Sequence, residues 1–203
     1  KTVLMPVGIN VTEKKGSIVQ KRLRILSLGR ISPVKNVETV LSAFGKILSV
    51  VPTATLSIVG DPMSRKIDLD YYENIRGLAG GLPVGSVSFY PGVDSINTTS
   101  IYGSHEVFVN TTTPGSFDKT ILESMAVGTP SFVCQDIWKE TKYAHLAEHF
   151  YFPYKDSEAL SRKIIAFFYL KQDGKERFIN ECREFVMAYH SLVSLVDRVI
   201  SHI

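Results

Sequence analysis

Short runs of hydrophobic residues alternate along the chain with longer segments in which apolar positions recur every three or four residues. This alternation is typical of buried strands and amphipathic helices in a parallel α/β sheet. The runs that resemble strands are Arg24–Leu28, Thr55–Val59, Val87–Tyr90, Val107–Asn110, 130–134 and 150–152. The pattern therefore predicts an α/β fold with a doubly wound parallel sheet of about six strands and helices on both faces.

Helical spacing marks the segments between these runs, at residues 37–50, 68–79, 95–103, 118–127 and 138–148. It continues after the last run, at residues 157–170, 175–189 and 192–203. Ligands of such sheets bind beyond the carboxyl ends of the strands. The loops expected there, at residues 29–36, 60–66 and 110–119, are rich in Gly, Pro, Ser or Thr. We expect these loops to converge.

Residues 114–130 read as a tight turn that leads into a short helix carrying one acid. Gly115 and Ser116 suit the turn, Asp118 or Ser116 can cap the helix start, and Gly128 suits a left-handed helix end. Unpaired amides at a helix start, together with the helix dipole, favour an anion, and Glu123 would add a carboxylate about one turn deeper. A nucleotide sugar offers both a diphosphate and ribose hydroxyls to such a site.

Two cations lie in the first loop, Arg30 and Lys35. The planar guanidinium of Arg30 can bind two phosphate oxygens and the flexible Lys35 adds a point charge, so the pair suits a diphosphate. The alternative is a solvated loop in which Asn36 caps the next helix. Gly29 lacks the further glycines of a dinucleotide fingerprint, and the chain has no Gly-Lys-Ser/Thr phosphate loop, which disfavours dehydrogenases and nucleoside triphosphatases.

Composition narrows the class of protein. The 203 residues are 44% hydrophobic and 21% charged, enough for one folded core, and the net charge of +3 does not favour nucleic acid or an anionic membrane surface. Cys134 and Cys182 lack metal-ligand spacing and predict free thiols in the cytoplasm. Neither an apolar run of about 18 residues nor a leader peptide is visible, and the absence of an initial Met predicts a fragment.

Five motifs in order resemble the carboxy-terminal, donor-binding domain of GT-B retaining glycosyltransferases of the family 4 type, over nearly the whole chain. They are the hinge-like MPVGIN at 5–10, LGRISPVKN at 28–36, IVGDP at 58–62, VSFYPGV at 87–93 and LESMAVGTP at 122–130. The resemblance implies a Rossmann-like domain that forms one half of a GT-B fold. It implies transfer of a sugar from a nucleoside diphosphate sugar with retention, without metal or another cofactor.

The resemblance also implies a division of the chain. Residues 1–20 would form the interdomain hinge and lead-in, residues 21–190 the donor-binding domain, and residues 191–203 a terminal helix. That helix would dock on an absent amino-terminal domain or on this domain's own core, and binding to a membrane surface is a third alternative. The absent domain would bind the acceptor, which is a sugar, a lipid-linked sugar or another hydroxyl. The whole protein would be cytoplasmic, with peripheral attachment to the inner face of the membrane as a further option.

Site residues are carried over position by position. The diphosphate would contact Arg30, Lys35, Phe117, Asp118, Lys119 and Thr120. The ribose would bind Glu123, the donor sugar would lie near Gly115 and Ser116, and the base would lie near Tyr90 and Pro91.

One departure from the family concerns its two glutamates, which lie eight positions apart. Here Glu123 occupies the second position but Gly115 occupies the first, so Ser116, Asp118 or Lys119 would have to replace the lost carboxylate. The departure leaves open a non-catalytic binding module, and a GT-B sugar-nucleotide epimerase is a further alternative. Glu123 itself could instead form a surface ion pair with Lys119 on the same helix face.

His145 and His149 fit the His-x-x-Glu-His pattern of inverted zinc proteases. Two such histidines on one helix face could ligate zinc, but no third ligand is evident nearby. We therefore predict no metal site. Trp138, in the loop after the 130–134 run, either narrows the pocket or packs in the core.

Overall fold

The structure is a computed structural model, and it describes residue 9 and residues 22–115 and 118–200. Its sheet has five strands, β1 (Arg24–Leu28), β2 (Thr55–Val59), β3 (Val87–Tyr90), β4 (Val107–Asn110) and β5 (Ser131–Val133). The strands are all parallel, in the order β3-β2-β1-β4-β5. Every residue of β4 and β5 is buried, as expected for strands covered on both faces.

Helices cover both faces of this sheet. They are α1 (Val37–Leu48), α2 (Lys66–Gly80), α3 (Thr98–Gly103), α4 (Lys119–Val127), α5 (Ala147–Phe150), α6 (Ser157–Tyr169), α7 (Gln172–His190) and α8 (Leu192–Ile200). Right-handed crossovers place α1 and α2 on one face and α3 and α4 on the other. The packing agrees, because α1 contacts α2 and α6, whereas α4 contacts α3 and α7. The predicted doubly wound α/β fold is confirmed.

The strand order reverses between β1 and β4. The chain leaves β1 toward α1 on one face of the sheet and leaves β4 toward α4 on the other face. Loops that diverge in this way leave a crevice at the carboxyl edge, and ligands of open α/β sheets bind at such a switch point. The fold therefore places the candidate site between the loops that follow β1 and β4.

The sixth strand predicted at residues 150–152 is wrong. Residue 150 ends α5, and only one parallel bridge joins Tyr151 to Val133 of β5. The Phe152 amide donates to the Val133 carbonyl at 2.9 Å, but Pro153 has no N–H with which to extend the ladder. The apolar pair Phe150 and Phe152 is nevertheless fully buried, which explains its strand-like pattern.

The helix predicted over residues 138–148 is also wrong in its first half. The segment forms turns, then a 3-10 turn at Ala144–Leu146 that leads into α5. The Thr141 hydroxyl donates to the Trp138 carbonyl at 2.7 Å and accepts from the Tyr143 amide at 3.1 Å. These bonds compete with helical hydrogen bonds, and Glu140 has a positive φ of 64°.

The helix α8 begins beside Ile9. The Ile9 amide donates to the His190 carbonyl at 2.8 Å, and the Leu192 amide donates to the Ile9 carbonyl at 3.2 Å. The rest of the predicted hinge segment, residues 1–8 and 10–20, lies outside the described residues. In the described part of the chain, none of the helices combines the length and the apolar character that a membrane span requires.

A close approach of two loops makes a backbone prediction possible. Gly60 has a φ of +150°, and a Cβ added to it would lie 2.0 Å from the Gly29 carbonyl oxygen. We expect Gly60→Ala to lower the free energy of unfolding by about 2 kcal/mol or more, because backbone of both loops must move. Urea unfolding followed by circular dichroism measures this change.

Gly77→Ala is the matched control, because Gly77 lies inside α2 and an added Cβ meets nothing within 4 Å. That change should raise the free energy of unfolding by about 0.5–1 kcal/mol, the usual gain for a helix interior. Equal stabilities of the Gly60→Ala variant and the native chain would contradict the described approach of the loops.

Candidate functional site

Backbone hydrogen bonds join the loops at the carboxyl edge of the sheet. The Ile31 amide donates to the Asp61 carbonyl at 3.0 Å, which connects the loops after β1 and β2. The Thr113 amide donates to the Val34 carbonyl at 3.0 Å and the Thr111 hydroxyl to the Lys35 carbonyl at 2.6 Å. The three loops therefore meet, as the sequence predicted, and they bound a cleft lined by residues of β1, β2 and β4.

An ion pair crosses this cleft. The Lys35 ammonium, on the loop after β1, bonds to the Asp118 carboxylate at the start of α4. Both side chains are largely buried, with 22% of the Lys35 side chain and 9% of the Asp118 side chain exposed. The pair joins the loops on the two sides of the switch point.

Four further donors satisfy the Asp118 carboxylate. Oδ2 accepts from Asn110 Nδ2 at 2.9 Å and from the Thr112 hydroxyl at 3.2 Å. Oδ1 accepts from the Thr120 amide at 3.2 Å and from the Thr120 hydroxyl at 2.7 Å. The amide bond is an N-cap, so the predicted cap of α4 is confirmed, and the left-handed Gly128 ends the helix as predicted.

These contacts set the protonation of the carboxyl. Burial alone would raise the pKa of Asp118, but the Lys35 ammonium and the Thr120 and Asn110 donors outweigh it and hold the pKa below its usual value. Asp118 is therefore ionised at neutral pH. Its charge lies at the helix start where the sequence predicted an external anion.

Arg30 is exposed on the same loop as Lys35. Its Nη1 lies 2.9 Å from the Met63 sulfur, which is a weak acceptor. Within the described part of the chain, no carboxylate forms an ion pair with Arg30. The guanidinium is thus available to a ligand.

Glu123 faces inward from α4. Its Oε2 accepts from the Tyr102 hydroxyl at 3.2 Å, and its Oε1 lies 3.5 Å from the Lys119 ammonium. Burial raises the pKa of Tyr102, and the charge of Glu123 raises it further, so the hydroxyl remains a donor. The ion pair with Lys119 is present as one alternative predicted. The carboxylate is also held by Tyr102, and 20% of the Glu123 side chain remains exposed.

Gly115 occupies the position of the missing acid. Its φ is +90°, and an added Cβ would meet nothing within 4 Å. Space is therefore available, but the backbone conformation strains any residue with a side chain. The next two residues, Ser116 and Phe117, were predicted to contact the donor but lie outside the described residues.

The loop after β3 is held by Asp61. Gly92 donates its amide to Asp61 Oδ2 at 2.8 Å, and Gly60 donates its amide to the Tyr90 carbonyl at 2.9 Å. Tyr90 is half exposed and Pro91 is exposed beside it. The residues predicted to lie near a base therefore lie at the same edge of the sheet as Arg30, two strands away, because β2 separates β3 from β1.

Sequence reasoning missed the roles of Asp61, Asn110 and Thr112. Asp61 bridges two loops, and the other two side chains bind Asp118. One signal was available, because Asn110 to Thr113 form a polar run directly after the buried strand β4. Asp61 gave no comparable signal, since its partner is a backbone amide 31 residues away.

The remaining candidates lie in other parts of the molecule. His145 pairs with Glu181 at 2.8 Å, while the His149 ring packs on Phe178 with centroids 4.1 Å apart. Among the described residues, no group of His, Cys, Asp and Glu is arranged to hold a metal ion. Trp138 is fully buried against aromatic rings, so its role is packing.

The buried carboxylate gives a pH-dependence prediction. Because the folded state lowers the pKa of Asp118, its contribution to stability is complete above the unfolded value of about 3.9 and is lost as the pH falls through the folded value. Urea unfolding at several pH values should therefore show that the stability difference between native chain and Asp118→Asn shrinks below about pH 4. A difference that stays constant down to about pH 2.5 would contradict this.

The family model for glycosyl transferases group 1 matches residues 9–185. An alpha-monoglucosyldiacylglycerol synthase from Streptococcus pneumoniae is 30% identical over 107 residues, which are 52% of this chain and 23% of that protein. The chain therefore spans only about a quarter of this curated relative.

Solved structures share the fold. Sucrose-phosphate synthase from Thermosynechococcus elongatus has a TM-score of 0.80 at 20% identity, over 99% of this chain and 51% of that one. HepE from Anabaena, solved with UDP and glucose, has a TM-score of 0.72 at 18% identity, over 89% of this chain and 48% of that one. The chain has the Rossmann-like fold of one half of such GT-B enzymes. Because the family model covers most of its length, this chain belongs to the glycosyl transferases group 1 family.

Proposed function

We propose that this chain is the donor-binding, carboxy-terminal half of a retaining glycosyltransferase that uses a nucleoside diphosphate sugar. The observation that carries the proposal is the meeting of the Lys35 loop and the start of α4 across the switch-point cleft. Cations and a helix start at one sheet edge are the elements that bind a diphosphate. Membership of the family supports the transfer of a sugar.

Charge development explains how the cleft would assist the reaction. The leaving diphosphate gains negative charge as the glycosidic bond breaks. Arg30, which has an available guanidinium, and Lys35 would stabilise that charge, together with amides at the start of α4. Because the fold already holds these groups in place, they need little reorganisation, and we propose that the reaction requires no metal ion.

The rest of the donor would follow from the position of the diphosphate. The ribose would bind Glu123, whose carboxylate is oriented by Tyr102. The sugar would lie near Gly115 and Ser116, and the base near Tyr90 and Pro91. UDP is the first candidate, because HepE was solved with UDP and with UDP-glucose.

The acceptor would be bound by a second domain. This chain covers about half of its structural neighbours, at 48% and 51% of their lengths. Leu192, Val196 and Ile200 of α8 are exposed apolar side chains at helical spacing, which suits docking on an amino-terminal domain. Ile9 forms a single parallel bridge with Ser191, just before α8, so the hinge between the two domains would lie beside α8. Closure of the two domains about this hinge would complete the active site.

One observation favours a second candidate, a non-catalytic nucleotide-binding module. Gly115 supplies no carboxylate near the donor sugar, and its positive φ opposes the return of one. A module of this kind would bind nucleotide through the same cleft. Transfer by the complete protein would separate the two candidates.

We further propose that the protein is cytoplasmic. Both cysteines, Cys134 and Cys182, are free and buried. Burial raises the pKa of the Cys134 thiol to about 11, so the thiol stays protonated and unreactive. Unpaired thiols of this kind are typical of reducing compartments.

Calorimetric titration of the chain with UDP, GDP and ADP, without metal, tests the donor site. We expect one nucleotide to bind, and Arg30→Ala, Lys35→Ala and Glu123→Ala each to weaken binding by about 10- to 100-fold, as expected for lost hydrogen bonds to charged groups. Lys171→Ala is the control, because Lys171 is exposed at the start of α7, outside the cleft. Affinity that none of the three changes alters would contradict the proposed site.

The division of labour between two domains gives a separate prediction. The 203-residue chain should bind nucleotide but should transfer no sugar, since the acceptor site lies elsewhere. Incubation with radiolabelled donor and a panel of sugar and lipid acceptors measures this. Transfer by the chain alone would show that it contains a complete active site.

A further inference from the structure

A carboxylate of the protein itself, that of Asp118, already occupies the N-terminus of α4. The Asp118 carboxylate accepts from the Thr120 amide and from the Lys35 ammonium, the two kinds of group that a diphosphate would use. A ligand that reaches these groups must share them with Asp118 or replace it. Sequence reasoning counted Lys35 and the helix start as available to the donor, whereas the structure shows them paired.

We propose that Asp118 is an internal counter-anion that competes with the nucleotide diphosphate for Lys35 and for the first turn of α4. It thereby weakens binding of the released nucleoside diphosphate more than binding of the donor sugar. This inference rests on the proposed function. It assigns to Asp118 control over affinity rather than a direct contact with the ligand.

The carboxylate cannot easily move away from the cleft. Five hydrogen bonds hold it, from Lys35, Asn110, Thr112 and two from Thr120. Only 8% of Asp118 is exposed, so it has little contact with solvent that could replace these bonds. Ligand binding therefore takes place beside a fixed negative charge.

Apart from Lys35, the charged side chains around the cleft do not offset the negative charge of Asp118. Lys119 lies 3.5 Å from Glu123 and is partly neutralised by it. Asp61 adds a second carboxylate at the same edge, bound to the Gly92 amide. Arg30 is the cation at this edge for which the described residues provide no carboxylate partner. The net positive charge offered to a diphosphate is consequently small.

The donor sugar nucleotide and the released nucleoside diphosphate differ in charge, so Asp118 would affect their binding to different extents. A diphosphate esterified at both ends carries two negative charges, whereas a nucleoside diphosphate carries close to three above about pH 7, because a terminal phosphate has a second pKa of about 6. Repulsion from Asp118 acts on each charge, so it opposes the product more strongly. Weaker product binding would speed product release, a step that limits the rate of many enzymes.

Asp118→Asn tests the proposal, because asparagine is an equally good N-cap but carries no charge. Titrations with UDP and UDP-glucose at about pH 8 should show tighter binding, by about tenfold for UDP and about threefold for UDP-glucose, within the usual range of coupling between charged groups. Asp173→Asn is the matched control, because it removes a carboxylate from the first turn of α7 and should leave both affinities unchanged. Circular dichroism and thermal unfolding establish that each variant is folded.

Asp118→Ser provides a second neutral N-cap if the asparagine variant does not fold. Weaker UDP binding in a folded neutral variant would overturn the proposal and indicate that Asp118 positions Lys35. Unchanged UDP binding would also overturn the proposal. Equal gains for UDP and UDP-glucose would overturn the argument from charge. Failure of native and variant chains to bind any of UDP, GDP and ADP would overturn the proposed function, and this inference with it.

Discussion

The reversal of strand order between β1 and β4 is the constraint on which the candidate site depends. Two crossovers leave neighbouring strands toward opposite faces, so the loops at their carboxyl ends separate and open a cleft. Side chains and backbone from loops distant in sequence then close the edges of that cleft. Backbone hydrogen bonds join Thr113 to Val34 and Ile31 to Asp61, so the three loops together form the walls of the cleft.

The ion pair between Lys35 and Asp118 sets the charge of the cleft that the fold creates. It lies across the switch point and is satisfied on the acid side by three further residues. A buried carboxylate of this kind costs desolvation free energy unless it is fully hydrogen-bonded, which is the case here. The same contacts that make it stable also reduce the positive charge offered to a ligand. According to our proposal, the contacts of Asp118 therefore stabilise the fold and weaken nucleotide binding.

Local signals in the sequence predicted local structure well. The cap at Asp118 and the helix end at Gly128 were predictable, because each depends on a few neighbouring residues. Four strands were predicted with their observed bounds, since each is a short apolar run between turn residues. The helix predicted over residues 138–148 was wrong in its first half, because the Thr141 hydroxyl forms hydrogen bonds that replace helical ones while the apolar spacing still resembles that of a helix.

Long-range pairing could not be predicted from the same patterns. Lys35 and Asp118 are 83 residues apart, and each was predicted to contact a ligand rather than the other. The prediction of a strand at residues 150–152 was wrong for a similar reason. Pairing there depends on the neighbouring strand β5 and on Pro153, which has no N–H to donate. A crystal structure of the chain with UDP tests the central claim most directly. Our account predicts diphosphate oxygens within about 3 Å of Arg30 and Lys35 with the ribose at Glu123, whereas UDP bound away from this edge would contradict it.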